Sequence, residues 1–281
     1  FSMMSQAMRF CLLAAALGAG LWSQQPAGTA QETPVAKQPT VKSQAEGQAL
    51  MAMFQAPDPD SRIKAAQELL QKFADTEFKA TALHFIAVSY QQKNDVDNMM
   101  LYAEQTLEAD PNHYMAMLML ANAIAQRTRE FDLDREEKLA RVEKYVRTAQ
   151  ELIQKAPRPN PQITEEQWQA AKRDLNSQAL ETLALAALAR KNYDEAIAKF
   201  KASIETAANQ DPATFVRLGA TYNKVGKYDE AIAVLDKVMN DPDAHPQIRQ
   251  VAQAERARAV QAKGAGAAAA PPAPAEPKPQ P

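Results

Sequence analysis

Pro212-Ala-Thr-Phe215-Val-Arg-Leu218-Gly219-Ala-Thr-Tyr222-Asn-Lys-Val-Gly226-Lys-Tyr228-Asp-Glu-Ala231-Ile-Ala-Val-Leu235-Asp-Lys-Val238 is the stretch that decides the fold. Phe215, Leu218, Gly219 and Tyr222 fall at i, i+3, i+4 and i+7, which is one stripe of a helix. Gly226 then suits the left-handed residue that closes a helix, and Ala231, Leu235 and Val238 form the stripe of a partner helix. The same spacing recurs upstream at Leu83, Ile86, Ala87 and Tyr90, at Met117, Leu120, Ala121 and Ile124, and at Leu180, Leu183, Ala184 and Ala187. Most copies stand about 34 residues apart, the length of one helix pair in a stacked array. Ala87, Ala121, Ala184 and Gly219 are small where two helices must approach closely. Asp110-Pro111 and Asp211-Pro212 mark boundaries, because proline disfavours helical geometry before it yet fits the first turn of the next helix.

The pattern resembles the tetratricopeptide repeat. The copy opening at Ser177 continues through Tyr193, Ala196, Phe200 and Ser203 in the family's spacing. The copy at Ala80 departs from it, with Met99 where a small residue is usual and Ala103 where a large one is. The resemblance implies an all-α solenoid of stacked helix-turn-helix pairs, each hiding its apolar face on the next. Repeats are expected at about 45–79, 80–113, 114–156, 164–211 and 212–243, with an end helix over 245–263. The second copy is irregular: a charged loop near 127–134 precedes a helix striped by Leu139, Val142, Val146, Ala149 and Ile153. Thr164 with Gln167 reads as a capping box opening a long helix, with Trp168 covering the preceding pair. In the end helix, Ile248, Val251, Ala252 and Ala259 share a face that Glu255 interrupts, which suits a solvating cap.

Composition narrows the function. Hydrophobic residues are 46% of 281, and 32 Lys and Arg nearly balance 34 Asp and Glu with the signs interspersed. No basic stripe with interleaved aromatics is present, which argues against nucleic acid as a partner. The three histidines, His84, His113 and His245, stand in no metal-ligand spacing, and eight glycines are too scattered for a phosphate loop. Glu136-Glu137 and Glu165-Glu166 open helices, where they complement the positive end of the dipole. No enzyme, metal or cofactor is therefore expected.

The ends differ in kind. Arg9 precedes an apolar run from Phe10 to Trp22, and Gly28-Thr-Ala30 offers small residues for cleavage, so residues 1–30 read as a signal peptide. Phe1-Ser2 ahead of Met3-Met4 points to a later biological start. Cys11, the single cysteine, belongs to the apolar run and not to a lipoprotein box. Residues 31–44 and the Ala/Pro-rich tail 264–281 are expected to be disordered, since neither buries enough apolar area to offset ordering entropy. The expectation is a periplasmic or secreted protein with no membrane span after cleavage.

By the resemblance, first helices of successive repeats line a concave groove that takes protein or peptide segments. Its positions here are Thr81, His84, Val88 and Gln91, then Met115, Leu118 and Asn122, then Gln178, Glu181 and Leu185, then Val216, Ala220 and Asn223. Some of these can instead pack between repeats, Leu185 above all, and Met117 and Met119 read as core filler. His84 and Val88 stand where a carboxylate-gripping co-chaperone needs Lys and Asn, so that activity is not implied. The function expected is an exported scaffold for protein interaction in envelope assembly. The alternative is a structural component that oligomerises and uses its Pro/Ala tail as a spacer or docking segment.

Overall fold

The computed structural model describes residues 34–269. The signal-peptide expectation, Cys11 and residues 270–281 of the tail lie outside them. The chain divides after Gln210 into two compact units. The first contains α1 (Gln44–Phe54), α2 (Pro59–Lys72), α3 (Lys79–Gln92), α4 (Val96–Ala109), α5 (Tyr114–Arg127), α6 (Arg135–Lys155), α7 (Glu165–Ala189) and α8 (Tyr193–Thr206). The second contains α9 (Pro212–Lys224), α10 (Tyr228–Met239) and α11 (Pro246–Ala269). Among the described residues there is no strand, only an isolated bridge between Val35 and Arg158.

In the first unit each helix packs on its neighbour in the chain, and α5 also packs on α7. This is the layered stack of helix pairs expected from the repeat. Leu50, Met53, Ile63, Ala66, Leu69, Ala82 and Ile86 form one core, and Ala87, Ala103 and Leu120 the next. The α6 stripe of Leu139, Val142, Val146, Ala149 and Ile153 is buried against Met117, Ala121, Ile124, Leu175 and Ala179. Met99 and Ala103, the two departures from the family spacing, are both buried.

Turn chemistry repeats as faithfully as the cores. Asn94, Lys191 and Gly226 have φ of 56°, 61° and 75°, and each lies two residues before the second helix of its pair. The amides that follow reach back to the same place: Asp95 N to Tyr90 O at 2.9 Å, Asn192 N to Ala187 O at 2.9 Å, and Lys227 N to Tyr222 O at 3.0 Å. This is a Schellman closure, which satisfies carbonyls that the ending helix leaves open. Starts are capped too. Ser43, Asp58, Asp95, Asn192 and Asp211 side chains accept backbone amides, and Thr164 and Gln167 form the reciprocal box.

Two features of the ends add to the repeat pattern. Residues 34–43, assigned to a disordered 31–44, carry no helix but are hydrogen-bonded to the array. Arg158 N donates to Pro34 O at 2.8 Å, Ala36 N to Arg158 O at 2.7 Å, and Thr40 N to Glu77 Oε2 at 2.9 Å. Lys42 Nζ pairs with Asp75 at 2.8 Å. The polar segment is held because Arg158 both donates to its Pro34 carbonyl and accepts from its Ala36 amide, and the Glu77 carboxylate accepts its Thr40 amide. The end helix, expected to stop at 263, continues to Ala269, as alanine propensity carries it past the last packed turn.

In the second unit, α9 packs on α10, and α11 packs on both. Ala252 and Ala259 of α11 are fully buried, while Val251 and Val260 are exposed. Glu255, which interrupts the apolar face, accepts a hydrogen bond from Asn223 on α9 at 3.1 Å.

Candidate functional site

Of the first helices of the pairs in the first unit, α3, α5 and α7 carry the expected groove at their outward positions. Gln91 is exposed, and Thr81, Met115, Asn122, Gln178 and Leu185 are half-buried. Asn122 Nδ2 approaches Thr182 Oγ1 on α7 at 3.4 Å and its Oδ1 accepts from Gln126 at 2.5 Å, so the amide is held but reachable. Met115 and Leu185 lean on the α5–α6–α7 core, and Met119 on the Ala87–Leu120 core, while Met117 is buried.

Other expected groove positions are turned inward. His84, Val88, Leu118 and Glu181 in the first unit and Val216 in the second are buried, and a ligand meets little of their surface in this conformation. The reason at His84 is specific. The ring of His113, the cap of α5, lies 4.6 Å from it, and His84 Nδ1 has no hydrogen-bond partner among the described residues. His113 Nδ1 accepts from Ala116 N at 3.3 Å. Burial, then the neighbouring His113, holds the His84 imidazole well below its ordinary pKa, and burial lowers His113 as well. Both rings are therefore neutral at pH 7, packed between successive repeats. In the second unit Ala220 and Asn223 are half-buried, and Asn223 is already engaged by Glu255 O at 2.9 Å. The end helix thus occupies the groove edge of α9.

Two features were missed by sequence reasoning. Asp174, buried on α7, accepts from Ala208 N at 2.8 Å, Asn209 N at 2.9 Å and Asn209 Nδ2 at 2.8 Å. It closes the segment after α8, 34 and 35 residues away in sequence. The second is a cleft of about 880 Å³ between α6 and α7, bordered by Pro34. Arg147, Glu151 and Lys155 on α6 face Lys172, Arg173 and Asn176 on α7 across it. The sets fall at i, i+4, i+8 on α6 and at i, i+1, i+4 on α7, and that polar face of each helix is the signal that could have found the cleft. Among the described residues, no group of three or more His, Cys, Asp or Glu could hold a metal, and no helix is long and apolar enough to cross a membrane.

Comparison with known proteins fits this geometry. Residues 80–113 and 187–263 each match a family model described as tetratricopeptide repeat. A thermophilic tetratricopeptide protein of Thermus thermophilus, TTC0263, superposes with a TM-score of 0.51 at 16% identity, covering 75% of this chain and 98% of that one. At that identity the likeness establishes the fold alone. MamA aligns with a TM-score of 0.41 at 13% identity, over 81% of this chain and 99% of its own. The assembly chaperone of RpL4, Acl4, aligns with a TM-score of 0.41 at 12% identity, over 80% and 98%. No curated protein matches the chain.

Proposed function

The chain is a tetratricopeptide-repeat protein, and from that premise we propose that it is an exported scaffold that binds protein or peptide segments and serves assembly in a bacterial envelope. The observation that supports the reading is the surface of α3, α5 and α7. There Thr81, Gln91, Met115, Asn122, Gln178 and Leu185 give amide and hydroxyl groups beside adaptable apolar ones. Amides hydrogen-bond a peptide backbone regardless of its side chains, and methionine fits varied shapes, so the surface suits extended segments of more than one sequence.

The binding test uses Gln91→Ala, Asn122→Ala and Gln178→Ala together, changes at exposed or half-buried positions that leave the cores intact. Partners captured from bacterial envelope extracts by the intact protein are expected to be lost by this variant at unchanged helicity and melting temperature. Equal capture by both would refute the groove reading. Export is tested on the cell-derived protein by mass spectrometry. An N-terminus at Gln31 is expected, and residues 1–30 still attached to protein from the periplasmic fraction would refute cleavage after Ala30.

A further inference from the structure

We infer that the cleft between α6 and α7 is a second binding site, separate from the groove, for an acidic peptide segment. The cleft exists because the chain departs from the 34-residue repeat. α6 has 21 residues and α7 has 25, against 14 for α3, α4, α5 and α8, and the extra turns face each other across the opening.

Among the described residues that line it, cations outnumber acids. Arg147, Lys155, Lys172 and Arg173 line it with Glu151 as the one carboxylate. Glu151 stands four residues from both Arg147 and Lys155, yet pairs with neither. Arg147, Lys155 and Arg173 have no ion-pair partner among the described residues. The cations lining a second cavity of the same unit are matched. That cavity, of about 790 Å³, is lined by Arg127, Lys138 and Arg141 among others, and each of these pairs with an acid: Asp97 at 2.5 Å, Asp132 at 2.9 Å and Glu104 at 2.8 Å. Lys172 anchors the cleft floor. It is buried, donates to Gln154 O at 3.0 Å and lies 5.4 Å from the centre of the Trp168 ring. Burial lowers its pKa, and the charge of Glu165 opposes that shift.

The spread of charge selects the ligand class. Arg147 and Lys155 are separated by about 12 Å along α6 at 1.5 Å per residue. An inorganic anion cannot reach both, whereas carboxylates two to four residues apart on an extended segment can. Gln154 and Asn176 add amides for its backbone. Among the described residues no aromatic side chain lines the cleft for base stacking, which favours a peptide over a nucleic acid.

The test is fluorescence anisotropy with the full chain and three labelled probes: a twelve-residue Ser-Glu repeat, the matching Ser-Gln repeat, and a twelve-nucleotide single-stranded DNA. The acidic peptide is expected to bind about tenfold or more tighter than the neutral one, and to weaken as salt rises past the screening length of about 8 Å. Arg147→Glu with Arg173→Glu should abolish the preference. Arg147→Ala with Lys155→Ala, a milder pair of exposed changes, should weaken binding by about tenfold. The alanine variant of Gln91, Asn122 and Gln178 should bind the acidic peptide unchanged, so the groove and the cleft fail independently. The inference is overturned if both cleft variants bind like the parent, if the groove variant alone loses the peptide, or if the DNA binds tighter than the peptide.

Discussion

Gly219 offers the sharpest test of how the helix pairs are packed. It sits on α9 at the position filled by Ala87, Ala121 and Ala184 in the other pairs. A Cβ built there would lie 2.6 Å from Leu235 Cγ, 2.8 Å from Cδ2 and 3.0 Å from Cδ1. Leu235 is fully buried on α10, and Cγ is a branch point rather than a mobile end. Replacing glycine by alanine inside a helix ordinarily gains ~1 kcal/mol from propensity. Overpacking a core costs ~1–3 kcal/mol. A carbon contact of 2.6 Å is well inside the ~3.5–4.0 Å optimum, so the upper half of that range applies. Gly219→Ala is therefore expected to lose ~1 kcal/mol net. Urea unfolding followed by circular dichroism measures it, with an unchanged m-value confirming that the native state is intact. The mechanism is isolated by a second background. Leu235→Ala alone should cost ~2–5 kcal/mol, and there the added methyl enters vacated space and becomes stabilising. The cycle should show a coupling of at least ~1 kcal/mol. If Gly219→Ala stabilises the parent, or costs the same in both backgrounds, close approach of α9 and α10 is not what keeps this residue small.

Lys191 holds φ of 61° without being glycine. Lys191→Gly should raise stability by ~0.5–1 kcal/mol, read as a higher urea midpoint, with loss of its exposed pair to Glu130 contributing little. His84 and His113 have folded pKa values below the unfolded value of 6.5, so the unfolded chain binds protons that the native one does not. Stability is full above pH 6.5 and falls as pH drops through it, by up to ~1.4 kcal/mol per unit for each ring. His84→Phe should flatten that slope between pH 7 and pH 5, and an unchanged slope would disprove the assignment. Asp174→Ala removes the buried carboxylate that accepts the Ala208 and Asn209 amides after α8 and should cost ~1.5–3 kcal/mol in thermal or urea unfolding.

The elements that were legible in the sequence are those whose determinants lie within one helical turn or one loop. Leu139 to Ile153 could be read as a buried stripe because the period alone specifies the face. Gly226 and the Thr164–Gln167 box could be read because their partners are three to five residues away. The capped turn at Lys191 could not, since lysine carries no sign of positive φ. His84 looked groove-facing on its own helix, and only the arrival of His113 from the next repeat buries it. Asp174 and the basic cleft depend on groups about 20 to 35 residues apart brought together by the stacking, and no local spacing records that. Glu255 was seen as a flaw in an apolar face, and its acceptor role for Asn223 appears only when α9 and α11 meet.

A stacked array passes stress from one layer to the next and has no other route. The segment 34–43 supplies one, because it touches the connector at Arg158 and Pro159 and then the turn at Asp75 and Glu77 before entering α1. The opening layer and the third are thereby leashed together over more than a hundred intervening residues. Clipping that leash by proteolysis should let the first layer melt at a lower temperature than the third, turning one thermal transition of the first unit into two. Trimming at its N-terminal border would thus set how stiff the scaffold is when a partner arrives.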